Sequence, residues 1–391
     1  MAENCTNMPL LSIIIPVYKV EPYLQDCLEC LVQSTSVLWE AIIIDDGSPD
    51  NCPYICDVYA ERDARIHVYH HSNQGVSVAR NKGIENASGH WLWFVDSDDL
   101  VNLDCVDYIV NSLRKSETDL IAFPILSFVD GDRPYIEKTK HCYFDESLEK
   151  DLFLNKYVCF HHQCIWYKRT LVNQYDIRFT KGIKVGEDLE FLYRYLTICH
   201  KPTYCLANLY YYRERCESVT RVESYRANVI KDLPIVLNNL ADWIQTQGII
   251  PSKWLNMRIR HLFQNYLYSA SLIDGICNKD IQRQARIIMN RYKSLDFSFV
   301  NELRYVIAKK SVGIYFILNK LYLFLKTRWR RKSNDFVKPK DQREFIRFGL
   351  ARNRTFKKGF SPCFFVHEFH EFTRITKRLD NGDLIGRTNF H

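Results

Sequence analysis

Residues 91–99, Trp-Leu-Trp-Phe-Val-Asp-Ser-Asp-Asp, constrain the fold more than any other stretch of the chain. Five consecutive apolar residues predict a strand driven into a core, and it ends in three carboxylates within four positions, Asp96, Asp98 and Asp99. A carboxylate cluster at the carboxyl end of a buried strand stands where open α/β sheets bind their ligands. The short spacing suits a hard divalent cation that keeps several waters and also holds a substrate diphosphate. A simpler reading is an acidic strand-to-helix turn in which Asp99 caps the helix that follows.

The flanking pattern is a series of strand–helix units. Leu11–Val17 is an apolar run that starts a sheet, and Glu21–Gln33 has helical period through Leu24, Cys27, Leu28 and Leu31. Trp39–Ile44 is a second buried strand, ending in Asp45-Asp46-Gly47-Ser48. Helices over Asn51–Arg62, Gly75–Ala87 and Leu103–Lys115 alternate with strands at Arg65–Tyr69 and Asp119–Ser127. Such alternation predicts an α/β fold with a doubly wound, mostly parallel sheet. Tyr18, Asp45, Asp46, Asp96 and Asp98 should then meet along one rim of it.

Beyond residue 128 the pattern is less regular. Gln163–Lys168 reads as a strand, and Gly186–Cys199 as a helix with Glu187 and Asp188 in its first turn. Tyr204–Arg213 is aromatic and strand-like, and a helical pattern runs from Ser224 to about residue 310. The expected organisation is one domain over 1–222, with halves at about 10–127 and 128–222, and a helical region over 223–310. An amphipathic basic helix at 311–332 and a basic tail at 333–391 follow. In 311–332, Ile314, Ile317, Leu318, Leu321, Phe324 and Leu325 share a face ahead of the cluster Lys326–Lys332. That combination suits a helix lying on an anionic membrane surface, or one packed on the helices before it, and it is too short to span a bilayer.

The net charge of +7 is uneven: residues 301–391 hold 21 Lys and Arg against 8 Asp and Glu, which leaves 32 against 38 in the first 300. An acidic N-terminal region without a recognisable nucleic-acid module argues against nucleic acid as a partner. Fourteen cysteines could suggest a secreted disulfide scaffold, but the first ten residues carry no signal-peptide pattern. Cysteines such as Cys27 fall at apolar helical positions, so reduced core thiols in a cytoplasmic protein are expected. No His/Cys set has zinc spacing.

Five motifs in order carry a resemblance: Ser12-Ile-Ile-Ile-Pro-Val-Tyr18, Ile43-Ile-Asp-Asp-Gly-Ser48, Asn73-Gln-Gly-Val-Ser-Val-Ala-Arg-Asn81, Val95-Asp-Ser-Asp-Asp99 and Gly186-Glu-Asp188. Residues 10–220 resemble the family 2 glycosyltransferases of bacterial surface-polysaccharide synthesis, inverting enzymes with the nucleotide-diphospho-sugar transferase (GT-A) fold. The resemblance implies a UDP-sugar donor, a glycan or lipid-linked acceptor, and Mg²⁺ or Mn²⁺ as cofactor. It also implies a place in the cytoplasm, peripheral to the inner face of the cell membrane.

Residue by residue, Pro16 fixes the chain as it leaves the first strand, and Tyr18 offers a ring to a base and a hydroxyl to a ribose. Glu21 lies near enough in sequence to bond a sugar hydroxyl. Asp46 can accept the N3–H of uracil, as the family's matching residue does. Arg80 can pair with a nucleotide phosphate or with Asp96. In the resemblance Asp96-Ser97-Asp98 is the DxD motif, with Asp96 at the ribose or a metal-bound water and Asp98 on the metal. Asp188 matches the general base and Glu187 a supporting residue. Arg213, within Tyr210-Tyr-Tyr-Arg213 ahead of Ser218 and Arg221, is the expected phosphate contact. The chain lacks the Gln-x-x-Arg-Trp motif of processive members, so transfer of single residues is expected. A sugar-nucleotide nucleotidyltransferase would share the sheet and the metal, but the first strand is not followed by a glycine-rich turn. A non-catalytic protein binding anionic surfaces is the remaining alternative, suggested by the basic C-terminal region.

Overall fold

Strand β1 (Leu11–Val17) runs between β2 (Trp39–Asp45) and β4 (Trp91–Phe94), parallel to both. The computed structural model describes residues 9–301, apart from positions 115, 133, 135, 137–140, 146–148, 157–160, 216–222 and 274–278. The expected helix 311–332, the tail 333–391, Ser218 and Arg221 lie outside the described residues. On the β2 side, β3 (Ile66–His70) continues the parallel sheet. On the β4 side come β9 (Ile165–Lys168), antiparallel to its neighbours, then β6 (Leu120–Ala122), its parallel partner β10 (Pro202–Cys205) and the short antiparallel β8 (Phe144–Asp145). The order β3-β2-β1-β4-β9-β6-β10-β8 is the mostly parallel, doubly wound arrangement expected. A second sheet has β11 (Tyr210–Glu214) between β5 (Leu100–Val101) and β7 (Ile125–Val129).

Helices cover both faces of the large sheet, and β2 is buried at all seven positions, as a parallel strand between two layers must be. Alternate residues of β1 divide between the faces. Leu11, Ile13, Ile15 and Val17 share one cluster with Leu24, Cys27, Leu28 and Leu31 of α1 (Glu21–Val32) and with Cys52, Cys56 and Tyr59 of α2 (Cys52–Arg62). On the other face α3 (Val76–Asn86) lies so close that a Cβ on Gly83 would stand 2.2 Å from Cγ2 of Ile14. Phe94 there meets the edges of Phe179 and of Phe191 in α7 (Glu187–Ile198), at centroid distances of 5.0 and 5.3 Å.

Two segments expected as single strands are each broken in two. Asp119–Ser127 gives β6 and β7, because Pro124 has no N–H to continue the ladder and Phe123 closes it by donating to the Cys164 carbonyl. Tyr204–Arg213 gives the end of β10 and most of β11. Since β6 pairs with β10 and β7 with β11, both parallel, the two chains leave the large sheet together and re-form as a pair in the small one. The helix expected from Leu103 begins later, as α4 (Val106–Ser112).

The helices α5 (Lys150–Lys156) and α6 (Arg169–Gln174) are short, and three longer ones follow: α8 (Glu223–Thr246), α9 (Lys253–Ile273) and α10 (Lys279–Ser294). Among the described residues, those up to Tyr266 together with Arg291–Phe297 form one compact unit, which contains the large sheet; Leu267–Asn290 and Ser298–Asn301 belong to a second. Among the described residues no helix is long and apolar enough to cross a membrane. Among the described residues nine cysteines are free, and all but Cys30 are buried.

Candidate active site

The carboxyl ends of β1, β2 and β4 share one rim, and short turns there fix the side chains. After Pro16, which is half-buried in β1, the Tyr18 ring is 41% exposed, with Lys19 Nζ 5.2 Å from its centroid. At the end of β2, Asp45 takes the Ser48 amide on Oδ1 (2.9 Å) and His70 Nδ1 on Oδ2 (2.9 Å). Asp46 accepts the amides of Gln74 and Gly75, one on each oxygen at 2.8 Å, and His71 Nδ1 lies 3.2 Å away. Its carboxylate therefore folds the loop before α3, and its side chain is only 4% exposed. The open acceptor for a base edge expected at Asp46 is not presented in this structure. Glu21 is likewise engaged within the fold: it accepts the side chain and amide of Asn51 at 2.7 and 3.1 Å, tying α1 to the start of α2.

The three carboxylates after β4 separate into different roles. Asp96 is held through Oδ1 by Arg80 (3.0 Å) and through Oδ2 by Gln163 Nε2 (2.7 Å). Burial raises its proton affinity most, but the charges of Arg80 and His162 and the hydrogen bonds from Gln163 and Arg80 together outweigh it and hold the carboxyl below its usual range. Asp98 meets Arg215 Nη2 at 2.5 Å through Oδ2 and stays 16% exposed at the rim. Burial and the neighbouring Asp96 charge push its proton affinity up. Asp99 does not cap a helix: it is 1% exposed and accepts the Tyr210 hydroxyl (2.5 Å) and the Arg213 amide (2.7 Å). The strand β5 intervenes before α4, whose N-cap residue is Cys105. Asp99 thus binds β11 to the DxD turn.

A buried arginine joins this cluster to the acidic helix start. Arg80 projects from α3 beneath the rim, Nη2 on Asp96 and Nη1 3.3 Å from Oε1 of Glu187, with its guanidinium 5.2 Å from the Phe179 ring centroid. Of the two pairings expected for Arg80, the one with Asp96 is made. Gly186, in the left-handed conformation at φ +89°, turns the chain into α7 so that Glu187 and Asp188 follow at once. Burial, reinforced by the Asp188 charge, pushes Glu187 up to about 7, against the pull of Arg80. Asp188 moves the other way despite burial, because His162 and Arg80 favour its charged form. Its Oδ1 accepts the Leu189 amide at 2.7 Å, and His162 Nδ1 lies 3.6 Å from Oδ2. The two adjacent carboxylates thus have their proton affinities driven apart, Asp188 held charged beside a Glu187 that keeps its proton more readily.

Arg213 does not reach outward to a phosphate. Its side chain is 6% exposed, and its guanidinium is spent on the Asp98 carbonyl (2.8 Å), Asp130 (3.2 Å) and Asp26 (3.0 Å), close to the rings of Tyr23 and Phe128. The cation that faces the rim carboxylate is Arg215, which sequence reasoning passed over although it stands two residues on, just past the end of β11. Gln163 and His162, also missed, come from the 3-10 turn before β9 and carry no periodic or motif signal.

Among the described residues no three or more His, Cys, Asp or Glu side chains are grouped so as to hold a metal. Of the described residues, Asp98 and Asp96 would offer a cation their carboxylates, which fits a hard ion completed by phosphate and water oxygens. Burial and the like charge of Asp96 raise Asp98, and such an ion would offset both.

A family profile described as "Glycosyl transferase family 2" matches residues 12–176. The uncharacterized glycosyltransferase EpsJ of Bacillus subtilis is 31% identical over 222 residues, 55% of this chain and 64% of that protein. The minor teichoic acid biosynthesis protein GgaB of the same organism is 32% identical over 226 residues, 56% of this chain and 24% of that protein. The chain thus spans from a quarter to under two thirds of these relatives. The crystal structure of S. aureus TarS 1-349 in complex with UDP-GlcNAc superposes with a TM-score of 0.55 at 16% identity, covering 81% of this chain and 92% of that one, and so shares its fold.

Proposed function

We propose, from the match of residues 12–176 to glycosyl transferase family 2, that the chain is a metal-dependent inverting glycosyltransferase. It moves one sugar from a UDP-sugar to a hydroxyl of a glycan or lipid-linked acceptor in cell-surface polysaccharide synthesis. The observation that carries the reading is the buried Arg80, which joins Asp96, the first DxD carboxylate, to Glu187 at the acidic start of α7. The teichoic acid role in GgaB's name and the UDP-GlcNAc in the TarS crystal support the acceptor class and the donor class.

In this reading the donor base lies against the exposed Tyr18 ring beyond Pro16, and its phosphates face Asp98 and Arg215. A divalent cation on Asp98, with Asp96 beside it, would neutralise charge growing on the diphosphate as the bond to C1 breaks. Asp188 takes the acceptor hydroxyl proton while that oxygen bonds to C1 from the face opposite the diphosphate. The electron pair of the broken C1–O bond leaves with UDP, and one displacement inverts the anomeric centre. Glu187 holds Arg80 in place, and the Arg80 charge in turn favours the ionised form of Asp188.

The test is product analysis with a panel of UDP-sugars, Mn²⁺ and lipid-linked acceptors. Acceptor-dependent release of free UDP, cut by about a hundredfold or more but still measurable in Asp188→Asn, with donor binding kept, supports the reading. Pyrophosphate as product would indicate nucleotidyl transfer instead.

A further inference from the structure

His162 is a histidine in a place that suits phenylalanine. It is 2% exposed, its ring lies 6.2 Å from that of Phe94 and 6.3 Å from that of Phe179, and neither ring nitrogen has a hydrogen-bond partner. Buried polar atoms are normally paired, and each unpaired one carries a desolvation cost that a phenyl ring would not. The backbone is fixed where this ring is set: the Tyr167 hydroxyl donates to the His162 carbonyl at 3.2 Å. Nδ1 stands 3.6 Å from Oδ2 of Asp188, just beyond a made hydrogen bond.

We propose that His162 is the positioning residue of the base, its Nδ1–H closing onto Oδ2 of Asp188 when substrates fill the site. This deepens the glycosyltransfer reading and rests on Asp188 as the base. Catalytic hydrogen bonds are often long before substrate binds and shorten in the reacting complex. Without His162, the hydrogen bond found for the Asp188 carboxylate is one on Oδ1 from the adjacent Leu189 amide, which leaves the plane of the group free to turn. A donor on Oδ2 fixes that plane and leaves a lone pair for the acceptor proton. Gln163, the next residue, does the equivalent for Asp96, so one 3-10 turn sets both carboxylates.

The experiment uses the full chain with His162→Phe and His162→Asn, measuring melting temperature, donor KM and kcat for UDP release. His162→Phe keeps the ring and removes both nitrogens. It should melt at or above the wild-type temperature, keep donor KM within about twofold and lose at least tenfold in kcat. His162→Asn, with an amide donor near the place of Nδ1, should recover part of that loss. In Asp188→Asn the added His162→Phe change should cost nothing more. Wild-type kcat in His162→Phe overturns the proposal. So does a full tenfold loss from His162→Phe on top of Asp188→Asn, since His162 would then act independently of Asp188. Normal turnover in Asp188→Asn alone is a different result: it removes the base assignment and this inference with it.

Discussion

Nη2 of Arg215 stands 2.5 Å from Oδ2 of Asp98, with the guanidinium 4.9 Å from the Tyr23 ring centroid. A side chain of the protein thus holds the positive charge opposite the DxD carboxylate that a metal-bound diphosphate would need. In the proposed reaction Arg215 would compete with a divalent cation for Asp98 until phosphate oxygens drew the guanidinium away. Arg215→Gln should therefore bind Mn²⁺ several-fold more tightly without nucleotide, while its donor KM rises about tenfold. Titration of Mn²⁺ by electron paramagnetic resonance, with and without UDP, reads both arms. An unchanged affinity in the nucleotide-free variant refutes the competition.

Asp99 depends on a residue 111 positions away, the Tyr210 hydroxyl. Burial and the charges of Asp98 and Asp96 already push the Asp99 carboxyl well up, so its two donors are what keep it in place. Tyr210→Phe should cost about 1–3 kcal/mol in urea unfolding, the penalty of a buried acceptor left short of a partner. Tyr211→Phe on the same strand is the control. Equal stability in the two variants would mean that Asp99 does not anchor β11.

The same contrast shows which parts of the molecule were legible in the sequence. β1 and β2 were, because strands buried on both faces read as predominantly apolar runs, broken here only by Ser12, Glu40 and the terminal Asp45, and so was α7, because Gly186 and two acids mark its start. Contacts between distant residues left no such mark. Asp99 looked like a cap since its partner is remote, and the division of Asp119–Ser127 between two sheets needed the pairing of β7 with β11 to be seen. Motif position points to Arg213 and is silent on Arg215, whereas the distinction between them lies in Asp26, Asp130 and the end of the β11 ladder. His162 carries no signal at all in a segment whose neighbours are aromatic.

Gly186 offers a test of how α7 is aimed. Its φ is +89°, and a Cβ there would meet Cδ2 of Leu233 in α8 at 2.9 Å, whereas Gly182, at φ +77°, has open space around it. Gly182→Ala should cost about 1 kcal/mol for the left-handed backbone alone. Gly186→Ala adds a steric clash and should cost about 2–3 kcal/mol. Since Glu187 and Asp188 follow directly, its kcat should fall further than in the Gly182 variant. Matching losses of stability and rate in both would show that α8 does not hold the acidic turn in place.

Glu187 makes the folded protein's stability fall as pH rises through the neutral range. Burial and Asp188 push its carboxyl up to about 7, from an ordinary value of 4.5. Between those values the folded state holds a proton that the unfolded chain has lost, so raising the pH favours unfolding. The contribution is complete below about pH 4.5 and is gone above pH 7; at about 1.4 kcal/mol per unit it is on the order of 3 kcal/mol. Glu187→Gln keeps an oxygen for Arg80 and cannot ionise. Its stability relative to wild type should therefore rise between pH 5 and pH 8 by about that amount. Parallel urea-unfolding profiles for the two proteins across that range would show that Glu187 is ionised at pH 5 already, and that Arg80 outweighs its burial.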